Sequence, residues 1–183
     1  MAWKTGPMRN IAAALLFCCA QTVAAEPAGP EYVGVFVQLD TATGQQTSLE
    51  RQTPRGRVRV KALGWGGASS EYEFQGTHSS TRYRSGRPLT FLVRVESQSH
   101  DPRSLIQFYR LDVTNKVRRL VTATAGAMGT GGRGRTQEYA MPFDATKYGD
   151  DFFRVTVSGQ LPPGEYALSM SDAAEGYLFG IDP

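Results

Sequence analysis

His78 and His100 are the two histidines of the chain, and each has a potential catalytic neighbour: Ser79 and Ser80 follow the first, Asp101 the second. A serine, a histidine and a carboxylate in hydrogen-bond contact would make an acyl-transferring nucleophile. The local spacing does not assemble one, because neither G-x-S-x-G nor S-x-x-K occurs beyond residue 25. A small hydrolase with a site gathered from distant positions stays open as one reading. Zinc would need both histidines together with carboxylates, and neither H-x-x-x-H nor H-E-x-x-H is present. Asp150, Asp151, Glu165 and Asp172 offer carboxylate pairs of the kind glycosidases use, as any acidic surface does. KYGDD (147–151) lacks the alternating oxygen ligands of a calcium loop and reads as a turn before FFRVTV. The expectation is a protein that is not an enzyme, with no catalytic residue, cofactor or metal.

The material for binding is richer. Trp65 stands in GWGG, where neighbours without side chains would expose its ring to a sugar or a peptide; a plug at the end of a core is the other reading. Arg55, Arg57, Arg59 and Lys61 recur at every second position, which places them on one face of a strand. Such a face suits phosphate, anionic polysaccharide or an acidic protein, or else it is a solvated face that discourages edge-to-edge aggregation. Arg133 and Arg135 lie in GAMGTGGRGRTQ (126–137), which reads as a hairpin loop that either touches an acidic partner or stays solvated. Gly129, Gly131 and Gly134 match G-x-G-x-x-G in form only, since a dinucleotide site needs a helix after it and TQEYAMPF reads as a strand.

Strands must position these groups. Apolar residues alternate with polar ones in YVGVFVQLD (32–40), RVRVKAL (57–63), EYEF (71–74), LTFLVRVE (89–96) and LIQFYRLDV (105–113). The same holds for KVRRLVTA (116–123), QEYAMPF (137–143), FFRVTVS (152–158), EYALSM (165–170) and GYLFGI (176–181). In RVRVKAL, Val58 and Val60 alternate with arginines, which predicts one buried and one wet face. No long apolar stripe at helical spacing follows the leader. The pattern predicts an all-β, antiparallel β-sandwich, immunoglobulin-like or jelly-roll-like, of about ten short strands. A single domain over residues 26–183 is expected; the alternative is a small β-subdomain at 26–63 packed on an immunoglobulin-like unit at 71–183.

Residues 1–25 read as a cleavable secretory signal peptide, with Lys4 and Arg9 before an apolar run from Ile11 and small residues up to Ala25. The run is shorter than a membrane span, so no transmembrane segment is expected after cleavage, and the destination is periplasmic or secreted. Cys18 and Cys19, the two cysteines, both lie in this leader, and lipidation there is disfavoured by the bulky Phe17. A mature chain without cysteine has no disulfide and no thiol chemistry, so its core must be stable alone. The net charge of the whole chain is +3, and Lys4 and Arg9 supply two of those charges. Residues 26–135 hold 16 basic and 9 acidic side chains, whereas 136–183 hold 2 and 8. A nearly neutral exported chain without a recognised motif is not expected to bind nucleic acid.

LPPGEYALSM (161–170) places residues that cannot join a ladder directly ahead of an alternating run, so a strand starts near Glu165. From residue 76 onward the chain resembles a group of uncharacterised bacterial exported β-sandwich proteins. The resemblance rests on an aspartate-proline turn, a Tyr-x-Leu strand with basic residues after it, LPPGEYA, and a closing YLFGID. The first element, Pro88-Leu89-Thr90-Phe91, is one residue longer than the Pro-x-Phe of the pattern. The resemblance implies a fold and no reaction. It makes Pro163, Gly164, Glu165 and Tyr166 a structural motif, with Glu165 holding Arg110 or Arg154 at a sheet end and the Tyr166 hydroxyl capping the core as in a tyrosine corner. The function expected is an exported, non-catalytic module binding an envelope or extracellular protein. A carbohydrate- or anion-binding module is the first alternative.

Overall fold

The computed structural model describes Met1 and residues 29–61, 65–127 and 131–183. Apart from Met1, the expected leader at 1–25 lies outside the described residues, as does Gly129 of the glycine pattern. The strand-forming segments fold into two sheets. One runs in the order β11 (Phe143–Tyr148), β12 (Phe152–Val157), β7 (Thr90–Arg94), β1 (Phe36–Leu39), β2 (Gln46–Ser48). The other runs β3 (Glu50–Gln52), β14 (Gly176–Asp182), β13 (Gly164–Met170), β8 (Ile106–Val113), β9 (Val117–Ala125), β5 (Ala68–Gln75), β4 (Arg55–Val60). β10 (Arg133–Gly134) pairs with β9, and β6 (Arg82–Arg84) runs parallel to β14. The other strand pairs are antiparallel, and the fold is an all-β sandwich. Segments up to residue 61 are distributed over both sheets: β1 lies between β2 and β7, β3 joins β14, and β4 joins β5.

Alternation builds the core. Phe91 and Val93 of β7 and Phe153 and Val155 of β12 face Phe108 of β8, Tyr166 and Leu168 of β13, and Phe179 of β14. The Phe179 ring stacks on Tyr166 at 5.5 Å between centroids and meets Phe91 of the opposite sheet at 5.1 Å. Burial of large rings on both inner faces is the main force holding the sheets together.

Three expectations are corrected. Among the described residues fourteen strands form where about ten are expected: β2, β3, β6 and β10 are two- or three-residue polar edge pieces with no apolar rhythm to announce them, and β11 stands in a segment read as a loop. QEYAMPF is not a strand: Thr136–Tyr139 makes one helical turn (α2), Ala140 forms an isolated bridge to Tyr109, and β11 begins at Phe143. Pro142, which has no N–H to give a ladder, separates the two. Val58 and Val60 are not buried but 67% and 61% exposed. Asp101 caps a second single turn, α1 (Pro102–Leu105), where its carboxylate accepts from the Arg103 N–H at 2.9 Å.

β8 and β9 pair only at Asp112–Arg119 and Val113–Arg118, then part: β8 continues along β13 and β9 along β5. The arm of β9, β5 and β4 consequently folds over the outer face of β8, β13 and β14. Phe74 and Leu120 of the arm pack on Leu111, Ala167 and Leu178 in a second apolar cluster. A Cβ on Gly176 would lie 2.6 Å from the Phe74 ring, so glycine is what allows β14 to receive the arm this closely.

Candidate binding surface on the folded-over arm

The wedge between arm and sheet ends in charge. Arg118, fully buried, donates from Nη2 to Glu50 Oε1 at 2.7 Å and to the Gln75 carbonyl at 2.7 Å, and its Nη1 lies 3.6 Å from Glu165 Oε2. Glu165 accepts from the Ser79 N–H at 2.8 Å and from Arg82 Nη1 at 2.7 Å, and Arg82 also clasps Asp182. Burial would push the Glu50 carboxyl up, but hydrogen bonds from Arg118 and the Ser80 N–H outweigh it and hold its pKa at about 2. Hydrogen bonds to Asp182 and Glu165 likewise raise Arg82 above its ordinary value.

Glu165 therefore pairs with Arg82 and not with Arg110 or Arg154. Arg110 donates to the Pro163 carbonyl at 3.1 Å, and a Cβ on Gly164 would come within 3.2 Å of its Nε. The Arg154 guanidinium lies 4.1 Å from the centroid of the Tyr148 ring, a cation–π contact. Tyr166, buried by its ring, donates its hydroxyl to the Pro162 carbonyl at 2.7 Å.

On one face of the arm Glu71 and Glu73, 3% and 4% exposed, are neutralised by arginines of the neighbouring strands. Arg59 binds Glu71 at 2.9 Å and Glu73 at 2.5 Å, Arg57 lies 3.3 Å from Glu73, and Arg119 lies 3.5 Å from Glu71. Much of the basic run is thus committed inside the chain; Arg55 and Lys61 have no ion-pair partner among the described residues. Arg133 and Arg135 both contact Glu138, and Arg133 stays 77% exposed. The EYEF pattern showed the carboxylates, but nothing local showed that they would be buried.

The opposite face of the arm packs on the sheet through Phe74 and Leu120 and is apolar and open towards β4. Val58 pairs with Ser70, Val60 with Ala68, and Gly56 with Tyr72, so the side chains of Val58, Val60 and Tyr72 share this face. Trp65, between β4 and β5, is 73% exposed. Gly67, with φ at +81°, brings the turn so near β9 that a Cβ would lie 2.3 Å from the Ala125 carbonyl oxygen. The face leads into a groove of about 410 Å³, whose walls include Tyr72, Phe74, Leu120, Tyr109, Gln107 and Ser169. Glu175, which pairs with Arg51, also lines it.

The groups first considered for catalysis are separated or already engaged. Ser79 is 3% exposed and spends its hydroxyl on the Leu178 carbonyl at 3.1 Å, so it is not the accessible nucleophile beside the contact of His78 with Glu165 at 3.5 Å. Among the described residues His100 has one hydrogen-bond contact, with the exposed Ser99 hydroxyl at 3.5 Å. Asp151 pairs with Arg94 at 3.1 Å, and Asp172 lies in the β13–β14 loop. Among the described residues no group of three histidines, cysteines or carboxylates is placed to hold a metal. No family model, curated protein or solved structure matches the chain.

Proposed function

We propose that the chain is an exported, non-catalytic binding module that engages a protein of the cell envelope or the extracellular space through the β4–β5 hairpin. The observation that carries this reading is the exposure of Val58, Val60, Trp65 and Tyr72, at 67%, 61%, 73% and 48%, on that one hairpin. Large apolar groups gathered in one place and left in water mark a contact surface. Export is supported by the signal-like leader and by the resemblance of the C-terminal segment to exported β-sandwich proteins.

The test is affinity capture from envelope and secreted fractions of the native cells, with residues 26–183 as bait beside Trp65→Ala and Tyr72→Ala. One stoichiometric protein, lost with either substitution, supports the reading; glycan alone, or nothing, refutes it. The groove favours a second reading, a carbohydrate site, because Tyr72 and Tyr109 line it together with Gln107 and Ser169. Retention on glycan that falls with Tyr109→Ala and survives Trp65→Ala would favour that site.

A further inference from the structure

β4 is the last strand of its sheet, and among the described residues no strand pairs with its outer edge. The Lys61 N–H donates to the Gly67 carbonyl at 2.9 Å, and the Lys61 carbonyl accepts from the Gly66 N–H at 3.0 Å. Lys61 thus turns its backbone towards β5. Backbone polar groups alternate in direction along an extended strand, so Arg59, Arg57 and Arg55 turn theirs towards β5 as well. Gly56, Val58 and Val60 then direct their N–H and C=O groups away from the sheet. Gly56 is exposed and has no side chain, so its backbone itself meets solvent.

The two faces beside this edge differ chemically. Val58 and Val60, with Tyr72, form the apolar one. Arg55, Arg57 and Arg59 lie on the other with Arg119, against Glu71, Glu73 and Asp112. Four arginines against three carboxylates leave that face positive, and Arg55 has no ion-pair partner among the described residues. A second copy of the chain is a poor occupant, since pairing β4 with itself sets arginines against arginines.

We propose that β4 captures its partner by strand addition, and that the partner segment is extended and alternates acidic with apolar residues. Residues opposite Gly56, Val58 and Val60 exchange backbone hydrogen bonds with them and lay apolar side chains beside the valines. Residues opposite Arg57 and Arg59 carry the carboxylates. The inference rests on the protein-binding reading above and adds the chemistry of the partner.

The test uses capped, fluorescently labelled peptides that alternate Val with Glu or Val with Lys, titrated into residues 26–183 and followed by anisotropy. The Val-Glu peptide binds more tightly, by roughly tenfold or more, and loses affinity with added salt. Val58→Pro removes an outward N–H without touching the β5 ladder and weakens binding by roughly tenfold. Arg55→Glu, which breaks no ion pair of the fold, reverses the preference between the two peptides. Equal binding of both peptides, binding of neither, or indifference to both substitutions overturns strand addition. The protein-binding reading would fall separately, through failure of the capture from native fractions.

Discussion

Arg118, on β9, and Glu50, on β3, form a charge pair at 2.7 Å with the guanidinium fully buried. β3 ends the nine-stranded sheet order and β9 stands four places from it, and they meet only because the arm folds over. The pair therefore clamps the arm to the body. An arginine removed from water at this depth is tolerated when its carboxylate partners remain. Arg118→Met strands Glu50 and weakens the hold on Glu165, and is expected to cost about 3–5 kcal/mol. Urea unfolding measures this, and adding Glu50→Leu to Arg118→Met should recover part of the loss.

Acid should release the same clamp. Glu50 falls from its ordinary value of 4.5 to about 2 in the folded chain. Its contribution to stability is thus fully present above about pH 4.5 and is lost as the pH falls through about 2. The full effect is on the order of 3 kcal/mol. Unfolding free energy measured across that window should fall less steeply in Glu50→Gln than in the parent chain, which starts higher. Parallel curves would mean that other carboxylates govern acid unfolding.

Much of this fold was readable as period-two alternation. β7, β8, β12, β13 and β14 carry enough apolar residues at strand spacing to be recognised before any contact is known. What alternation could not convey was that the arm turns back, because that depends on where β8 and β9 separate. Val58 and Val60 have a core-like rhythm but sit on an edge strand whose apolar face lies open. The segregation of basic residues before 136 and acidic ones after it does not produce two charged ends. Arg51 meets Glu175, Arg82 meets Glu165 and Asp182, Arg94 meets Asp151, and Arg103 meets Asp144. The asymmetry is largely consumed by long-range pairing between sequence halves that are neighbours in space.

LPPGEYALSM has a structural explanation in two bonds. Glu165 joins the ionic clamp, and the Tyr166 hydroxyl donates to Pro162, four residues earlier, which fixes the entry to β13. Tyr166→Phe keeps the ring stacked on Phe179 and removes only that hydrogen bond, so about 1 kcal/mol should be lost. Tyr166→Ala also removes the ring from the main core and should cost about 3–5 kcal/mol. Thermal and urea unfolding of the two variants separate the corner from the packing.

Gly176→Ala tests whether the arm is held as a unit. The added methyl would fall 2.6 Å from the Phe74 ring, too close for contact without movement, and β14 itself is anchored through Leu178 and Phe179 in both clusters. The ring must therefore yield, and with it β5, at a cost on the order of 1–3 kcal/mol. β7 and β12 belong to the other sheet and have no part in that contact. Amide hydrogen exchange should then accelerate in β4, β5 and β9 while β7 and β12 keep their protection. Uniform acceleration would instead show that arm and sandwich open together, which would make the second apolar cluster part of one cooperative core.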